Sequence, residues 1–390
     1  MRRSLQLLAR PGLAMLLSAQ LLARLPIGMW PIGILLHVEQ RTGSYVAAGL
    51  VAALMTLGRA AGTPVASRLA GRWGARPLLI VTAAGSGLAA SALVGLDLVG
   101  LPIALATLGY GVPALLSGLF TPPVQPIVRS AYPRVVEPVE LEYAFSLDAA
   151  AQEIIFVVGP VLAFGVAGWA GPAWTLLAGV AAQTMGTFWL LRSGVLADAA
   201  PTAERGRAGR VLTVPAVLAG TLVGLLLVGA NSAVEAAATA VFGGEALTGG
   251  LLLALYAIAS LIGGLAFSHW TSGRLAQAGW MAVVALGLLL APLRPETWWL
   301  AVALVVAGLG VAPVFAAVAH RVSSRTTAAQ ATEAFGWVDS GAIVGASLGF
   351  GLAGPAIESG GAGAALWLAA GLALLGSALA AGVAVLDRRR

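Results

Sequence analysis

The stretch from Glu140 to Gly168 reads ELEYAFSLDAAAQEIIFVVGPVLAFGVAG and places charge inside an apolar run. The run can cross a bilayer, which takes about 20 predominantly apolar residues, and it contains the carboxylates of Asp148 and Glu153. Charged side chains are costly in lipid, so we expect other parts of the chain to supply partners for them. Gly159 and Pro160 follow in the same run, and this pair predicts a helix bend.

Part of this pattern recurs 190 residues later without a gap. The second copy also carries a carboxylate, Asp339, which aligns with Ala149 and is therefore one position out of register with Asp148. Because the shift is close to half of the 390 residues, we interpret the chain as one design used twice. The identical positions are Gly118-Leu119 and Gly308-Leu309, Pro123-Val124 and Pro313-Val314, Val128 and Val318, Ala144-Phe145 and Ala334-Phe335, and Gly159 and Gly349.

Composition sets the class of protein. The chain is 59% hydrophobic and 10% charged, with a mean hydropathy of +0.92, whereas soluble domains carry about 25% charged residues. Such a sequence has too little polar surface for a water-exposed globule, so it predicts an integral membrane protein. The absence of cysteine excludes disulfides, thiolate metal sites and cysteine nucleophiles. The basic residues lie in short loops without a basic and aromatic patch, so we expect no nucleic-acid partner.

Twelve apolar runs are long enough to be spans, and they predict an all-α membrane protein with 12 transmembrane helices. Eighteen arginines fall on one predicted side and only Arg41 and Arg294 on the other, which places both termini in the cytoplasm. Trp30 is expected in the outer aromatic belt. The spans lie near 11–37, 44–68, 77–97, 100–124, 142–167, 171–192, 211–237, 247–269, 275–293, 297–319, 331–354 and 362–386.

The polar segment RSGVLADAAPTAERGRAGR divides these spans six and six. We therefore predict two pseudo-symmetric six-helix bundles, 1–192 and 211–390, joined by a cytoplasmic linker, 193–210. This architecture resembles the major facilitator superfamily. In the loop after span 2, Arg72, Gly74 and Arg76 match the family's loop motif, while its aspartate is replaced by Gly71 and one basic residue by Ala75.

Within that superfamily, Gly159-Pro160 followed by Gly165 resembles a degraded form of the signature of drug:proton antiporters. The resemblance implies that spans 2 and 11 face each other across the two halves. Arg59 and Asp339 lie at similar depths on those spans, and we predict that they pair and hold the halves together on the cytoplasmic side. The alternative is that backbone or water satisfies each of them.

Arg24 on span 1 and Glu153 on span 5 are expected near the midplane, on neighbouring helices of the resembled fold. Gln20 and Arg24 share one helix face, as do Asp148 and Gln152. Two interpretations stay open: a static salt bridge between the two spans, or a proton-binding carboxylate at Glu153 or Asp148. A carboxylate poised between burial and a nearby arginine can exchange the coupling proton, whereas arginine stays charged.

Asn231 and Glu235 share a face of span 7, where we expect a wet rim, with contact to substrate as the alternative. No metal-ligand spacing appears, so we predict neither a metal nor another cofactor. No enzymatic grouping appears either, so we predict that the chain is not an enzyme.

The leading interpretation is a secondary active transporter working by alternating access. Its expected partners are a small-molecule substrate, protons or another coupling ion, and the lipid bilayer. We favour proton-coupled export of an amphipathic organic compound by a monomer in the bacterial inner membrane. Proton-coupled uptake of a metabolite and a non-transporting scaffold or sensor are the alternatives.

Overall fold

The computed structural model describes residues 11–99, 102–137, 140–193, 210–243, 247–273, 275–294 and 296–386. All regular secondary structure within those ranges is helical. Short 3₁₀ helices cover Leu96–Leu98, Arg210–Thr213, Ser268–Trp270 and Ala291–Leu293. The α-helices are α1 Pro11–Arg24, α2 Pro26–Thr42, α3 Tyr45–Trp73, α4 Ala75–Gly95, α5 Ile103–Leu119, α6 Val124–Val135, α7 Leu141–Ala170, α8 Pro172–Arg192, α9 Pro215–Phe242, α10 Thr248–Ala266, α11 Ala276–Leu290, α12 Thr297–Ser323 and α13 Ala328–Leu386.

Ten helical segments in these ranges are long and apolar enough to cross a membrane, which makes this a multi-pass membrane protein. The predicted sixth span forms α8 but is not one of the ten. The last of them, Glu333–Val385, covers both predicted spans 331–354 and 362–386. Non-helical backbone at Gly360 and Gly361 divides it, and the φ of Gly361 is +69°, a conformation that favours glycine.

Two spans in the first half of the chain, spans 1 and 4, are each interrupted near their own middle. α1 ends at Arg24 and α2 begins at Pro26, because proline lacks the backbone N–H that would continue the hydrogen-bond ladder. α5 and α6 are likewise separated by the segment that contains Pro122 and Pro123. The prediction ended the fourth span at 124, whereas the chain resumes helix there and continues to Val135.

Glycine crossings inside each half repeat the internal sequence symmetry. A Cβ added at Gly28 would lie 2.6 Å from the carbonyl oxygen of Ile155 and 3.2 Å from Cα of Gly159, so spans 1 and 5 touch through backbone. In the second half, a Cβ at Gly349 would meet the carbonyl oxygen of Gly229. Gly159 and Gly349 are identical positions of the repeat, so both halves use the same close helix packing.

The two halves also contact each other at glycines. These contacts lie toward the end of the bundle that the predicted orientation places on the outer side of the membrane. A Cβ added at Gly49 would lie 2.5 Å from the carbonyl oxygen of Phe350, and one at Gly250 would lie 3.0 Å from that of Pro160. Phe350 and Pro160 are again related by the 190-residue shift. We call these two contacts, between α3 and α13 and between α10 and α7, the outer crossings.

One carboxylate strengthens the contact between the halves at this end. Glu358 of α13 accepts hydrogen bonds through Oε1 from the Ser44 hydroxyl at 2.5 Å and from the Val46 backbone N–H at 2.9 Å. Ser44 precedes α3, so Glu358 satisfies free donors at the N-terminus of that helix. The third described hydrogen bond between the halves runs from the Ser347 hydroxyl to the carbonyl oxygen of Ala53.

Two local expectations have different outcomes. Gly74 lies between α3 and α4 with φ of +82°, which explains the glycine of the loop motif, and Arg72 and Arg76 beside it are exposed. Trp30 is only 5% exposed and donates its indole N–H to the carbonyl oxygen of Leu176, so its assignment to the outer belt is wrong. A tryptophan can be buried when its N–H finds an acceptor.

Candidate functional site

Asp148 forms the centre of a buried polar network in the first half of the chain. Its carboxylate is 0% exposed and accepts hydrogen bonds from Gln20 Nε2 at 2.7 Å, the Tyr132 hydroxyl at 3.0 Å and Arg129 Nε at 2.7 Å. Gln20 also donates to the Tyr132 hydroxyl at 3.0 Å. These groups come from α1, α6 and α7, so the network joins three helices around one buried carboxylate.

Arg24 lies beside this network and is 6% exposed. Its Nη2 donates to the amide oxygens of Gln125 at 3.1 Å and Gln152 at 2.8 Å, and Gln125 donates to the same Gln152 oxygen at 2.9 Å. Gln20, Arg24, Asp148 and Gln152 thus lie together, as the shared helix faces predict.

The predicted salt bridge between spans 1 and 5 does not form as expected. Arg24 has no carboxylate oxygen within 4.0 Å in the part of the chain that the structure describes, and its partners are the two glutamine amides. Glu153 is half-buried, and its side chain forms no hydrogen bond or ion pair with any described residue. Asp148 and Glu153 are five residues apart and point in different directions, so only Asp148 reaches the network.

A cavity of about 50 Å³ adjoins the network at the two helix interruptions. Arg24 and Arg59 are its charged lining residues, and its remaining walls are mostly apolar. Irregular backbone at membrane depth is tolerated where it lines a cavity, which fits the breaks before Pro26 and at Pro122. The lining residues are Ala23, Arg24, Pro26, Ile27, Trp30, Pro31, Met55, Thr56, Arg59, Gly118, Thr121, Pro122 and Gln183.

Arg59 and Asp339 are not paired in this conformation. Arg59 is half-buried, Asp339 is exposed, and no ion pair within 4.0 Å joins them among the described residues. Asp339 is nevertheless close enough to attract both Arg59 and Arg129 electrostatically. The predicted contact therefore requires the halves to approach each other at the end away from the outer crossings.

The polar groups of span 7 form a smaller cluster in the second half. Asn231 accepts a hydrogen bond from the Tyr256 hydroxyl at 2.6 Å, and Glu235 lies near enough to that hydroxyl to affect it electrostatically. Glu235 is half-buried. Both residues share one face of α9, as the spacing predicts, and neither contacts the network around Asp148 in the described hydrogen bonds and ion pairs.

Sequence reasoning missed three residues of α6: Arg129 and Tyr132 in the network around Asp148, and Gln125 beside Arg24. Arg129 is one of the eighteen arginines that the sequence places on the cytoplasmic side, but it lies on α6 and pairs with Asp148. Gln125 and Tyr132 lie on the same helix, which the prediction did not include in a span. The spacing of Gln125, Arg129 and Tyr132 at four and three residues is a one-face pattern that could have identified them.

A second group of charged residues lies near the ends of α2 and α4. Asp97 accepts hydrogen bonds from Arg41 at 2.6 Å and the Tyr110 hydroxyl at 2.8 Å. His37 Nε2 lies 3.4 Å from the same carboxylate. Asp97 therefore holds helix ends together within the first half.

Among the described residues no group of three or more potential ligands could hold a metal ion.

Comparison with known proteins identifies the fold. No model of a known protein family matches the sequence, and no curated protein sequence matches it. The structure superposes on a mutant of the nucleoside transporter NupG with a TM-score of 0.77 at 12% identity, covering 95% of this chain and 99% of that one.

A bacterial homologue of the iron transporter ferroportin also matches. Its inward-facing state superposes with a TM-score of 0.70 at 13% identity, covering 96% of this chain and 98% of that one. Its outward-facing state with soaked iron gives 0.60 at 14% identity, covering 95% and 98%. The chain therefore has the fold of the major facilitator superfamily, as the sequence resemblance indicated.

Proposed function

We propose that the chain is a secondary active transporter that moves a small amphipathic organic compound by alternating access. Twelve spans form the two halves 1–192 and 211–390, with 193–210 as the cytoplasmic linker and both termini in the cytoplasm. This count includes α8 and treats α13 as two spans that meet at Gly360 and Gly361. The protein is a monomer in a bacterial inner membrane.

The observation that carries this proposal is where the two halves touch. The outer crossings and the Glu358 hydrogen bonds join the halves at one end, whereas no ion pair within 4.0 Å joins Arg59 and Asp339 among the described residues. This is the arrangement expected of an inward-facing carrier. The better superposition on the inward-facing ferroportin homologue, with TM-scores of 0.70 against 0.60, supports the same assignment.

Proton coupling is assigned to Glu153. Asp148 already has three hydrogen-bond donors, including Arg129, and therefore serves to hold α1, α6 and α7 together. Glu153 is half-buried without a described hydrogen-bond partner, so a proton can neutralise it without breaking a contact. Export is favoured because Gly159-Pro160 and Gly165 resemble the signature of drug:proton antiporters, in which protons enter as the substrate leaves.

The test is flux in proteoliposomes that contain a pH-sensitive dye. A panel of organic compounds is presented under imposed pH and voltage gradients, and substrate-dependent proton movement is recorded. Glu153→Gln should abolish proton movement, whereas Glu296→Gln, which removes an exposed carboxylate far from the network, should not. Flux that ignores the pH gradient, or that is unchanged in Glu153→Gln, contradicts the proton assignment. Flux directed inward would support uptake, and no flux at all would support a scaffold or sensor.

A further inference from the structure

We propose that the cavity beside Arg24 and Arg59 binds the anionic head group of an organic monoanion, such as a carboxylate. This inference rests on the proposed transport function and names the chemical class of its substrate. The site lies within the first half of the chain, at the interruptions of spans 1 and 4. Glu153, the carboxylate assigned to proton coupling, is not one of the residues that line this site.

The first step of the argument is the charge on Arg24. Arg24 is only 6% exposed, so its guanidinium loses most of its hydration, and neutral amide oxygens supply hydrogen bonds without supplying negative charge. The carboxylate nearest to it in the network, Asp148, is already paired with Arg129 at 2.7 Å. Asp148 attracts Arg24 electrostatically but does not contact it, so Arg24 is a buried cation with no carboxylate within 4.0 Å in the described part of the chain.

The second step is the second arginine. Arg59 lines the same cavity and carries the same charge, and each arginine is electrostatically unfavourable to the other. Asp339 attracts Arg59 but is exposed and does not form an ion pair with it. Two like charges at one small cavity are stabilised together when an anion enters between them. Guanidinium groups bind carboxylates through two parallel hydrogen bonds, which suits this role.

The third step is the size and character of the cavity. One bound water needs about 10–15 Å³ of cavity volume. A cavity of about 50 Å³ therefore accommodates a head group but not a large molecule. The walls include Ile27, Trp30 and Met55, which favour an apolar body attached to the anion. Asp148 and Asp339 already offset part of the charge of the two arginines. The ligand is therefore an amphipathic monoanion, because a further negative charge would lie against apolar walls.

The test uses equilibrium binding to the purified full-length protein, so it does not depend on transport. Benzoate and octanoate are compared with their uncharged amides and with benzylamine and octylamine, using tryptophan fluorescence and thermal stability as readouts. Both carboxylates should bind, and each should bind at least about tenfold more tightly than its amide, because a charge-assisted pair is lost. This comparison needs no variant protein and is independent of whether any variant folds.

Variants then locate the site. Arg24→Gln and Arg59→Gln should each weaken carboxylate binding at least about tenfold. Arg24→Lys should retain part of it, and Arg192→Gln, an equal change of charge away from the cavity, should leave it unchanged. Equal affinity for carboxylates and amides, failure of both carboxylates to bind, unchanged binding in either glutamine variant, or stabilisation by chloride alone would overturn the proposal. Carboxylate binding without flux would instead contradict only the transport function.

Discussion

Replacing Asp148 by alanine should destabilise the protein more than loss of an average carboxylate would. The substitution removes an acceptor for Gln20, Tyr132 and Arg129, all of which donate to it within 3.0 Å. Arg129 is 45% exposed, so water can replace the hydrogen bond that it loses, and this loss adds little to the destabilisation. The two buried donors remain, and at about 1.5–3 kcal/mol for each hydrogen bond to a charged group the loss is about 3–6 kcal/mol.

Asp148→Asn should cost less, because its remaining oxygen can still accept from Gln20 and Tyr132 while the pair with Arg129 is lost. Thermal unfolding of the purified protein in detergent, followed by tryptophan fluorescence, should therefore rank wild type above Asp148→Asn and Asp148→Ala lowest. Glu296→Ala, which removes an exposed carboxylate, is the matched control and should leave the transition unchanged. Equal stability of the wild type and Asp148→Ala would refute the assignment of Asp148 to helix packing.

Three further changes separate contacts between the halves from contacts within one half. Glu358→Gln should favour the outward-facing state by about 1 kcal/mol, which is a roughly fivefold change in the equilibrium between the two states, because it weakens an exposed charged cap on α3. Spin-label distances across the outer end would show this shift. Gly49→Leu should also open that end while the protein stays folded, since its side chain would strike the other half. Gly28→Leu should instead lower thermal stability by about 1–3 kcal/mol or more, because the clash is with Ile155 in its own half; equal effects of the two leucine substitutions would contradict this division.

The sequence was sufficient for the class of protein and for most helix positions because apolar length is a local property. It also placed Gln20, Arg24, Asp148 and Gln152 near one another, since their helical spacing and the resembled fold determine which faces meet. The 190-residue echo correctly indicated repeated packing, which the crossings at Gly159 and Gly349 show.

The sequence could not show which side chains contact each other near the ends of apolar runs. α6 begins after a double proline and carries polar residues, so hydropathy ended span 4 too early and left Arg129 in a loop. The pairing of Asp148 with Arg129, and of Arg24 with two glutamines, depends on where that helix packs. Trp30 was assigned to the lipid interface because an acceptor on a distant span, Leu176, is invisible in local sequence.

Paired distance measurements at the two ends of the bundle test the central claim of alternating access most directly. The chain has no cysteine, so spin labels can be placed at Gln40→Cys with Ser359→Cys for the outer end, and at Trp73→Cys with Ser324→Cys for the inner end. Across acid and neutral pH, with and without octanoate, we expect the outer distance to lengthen whenever the inner distance shortens. Distances that stay fixed, or that change together at both ends, would contradict the account.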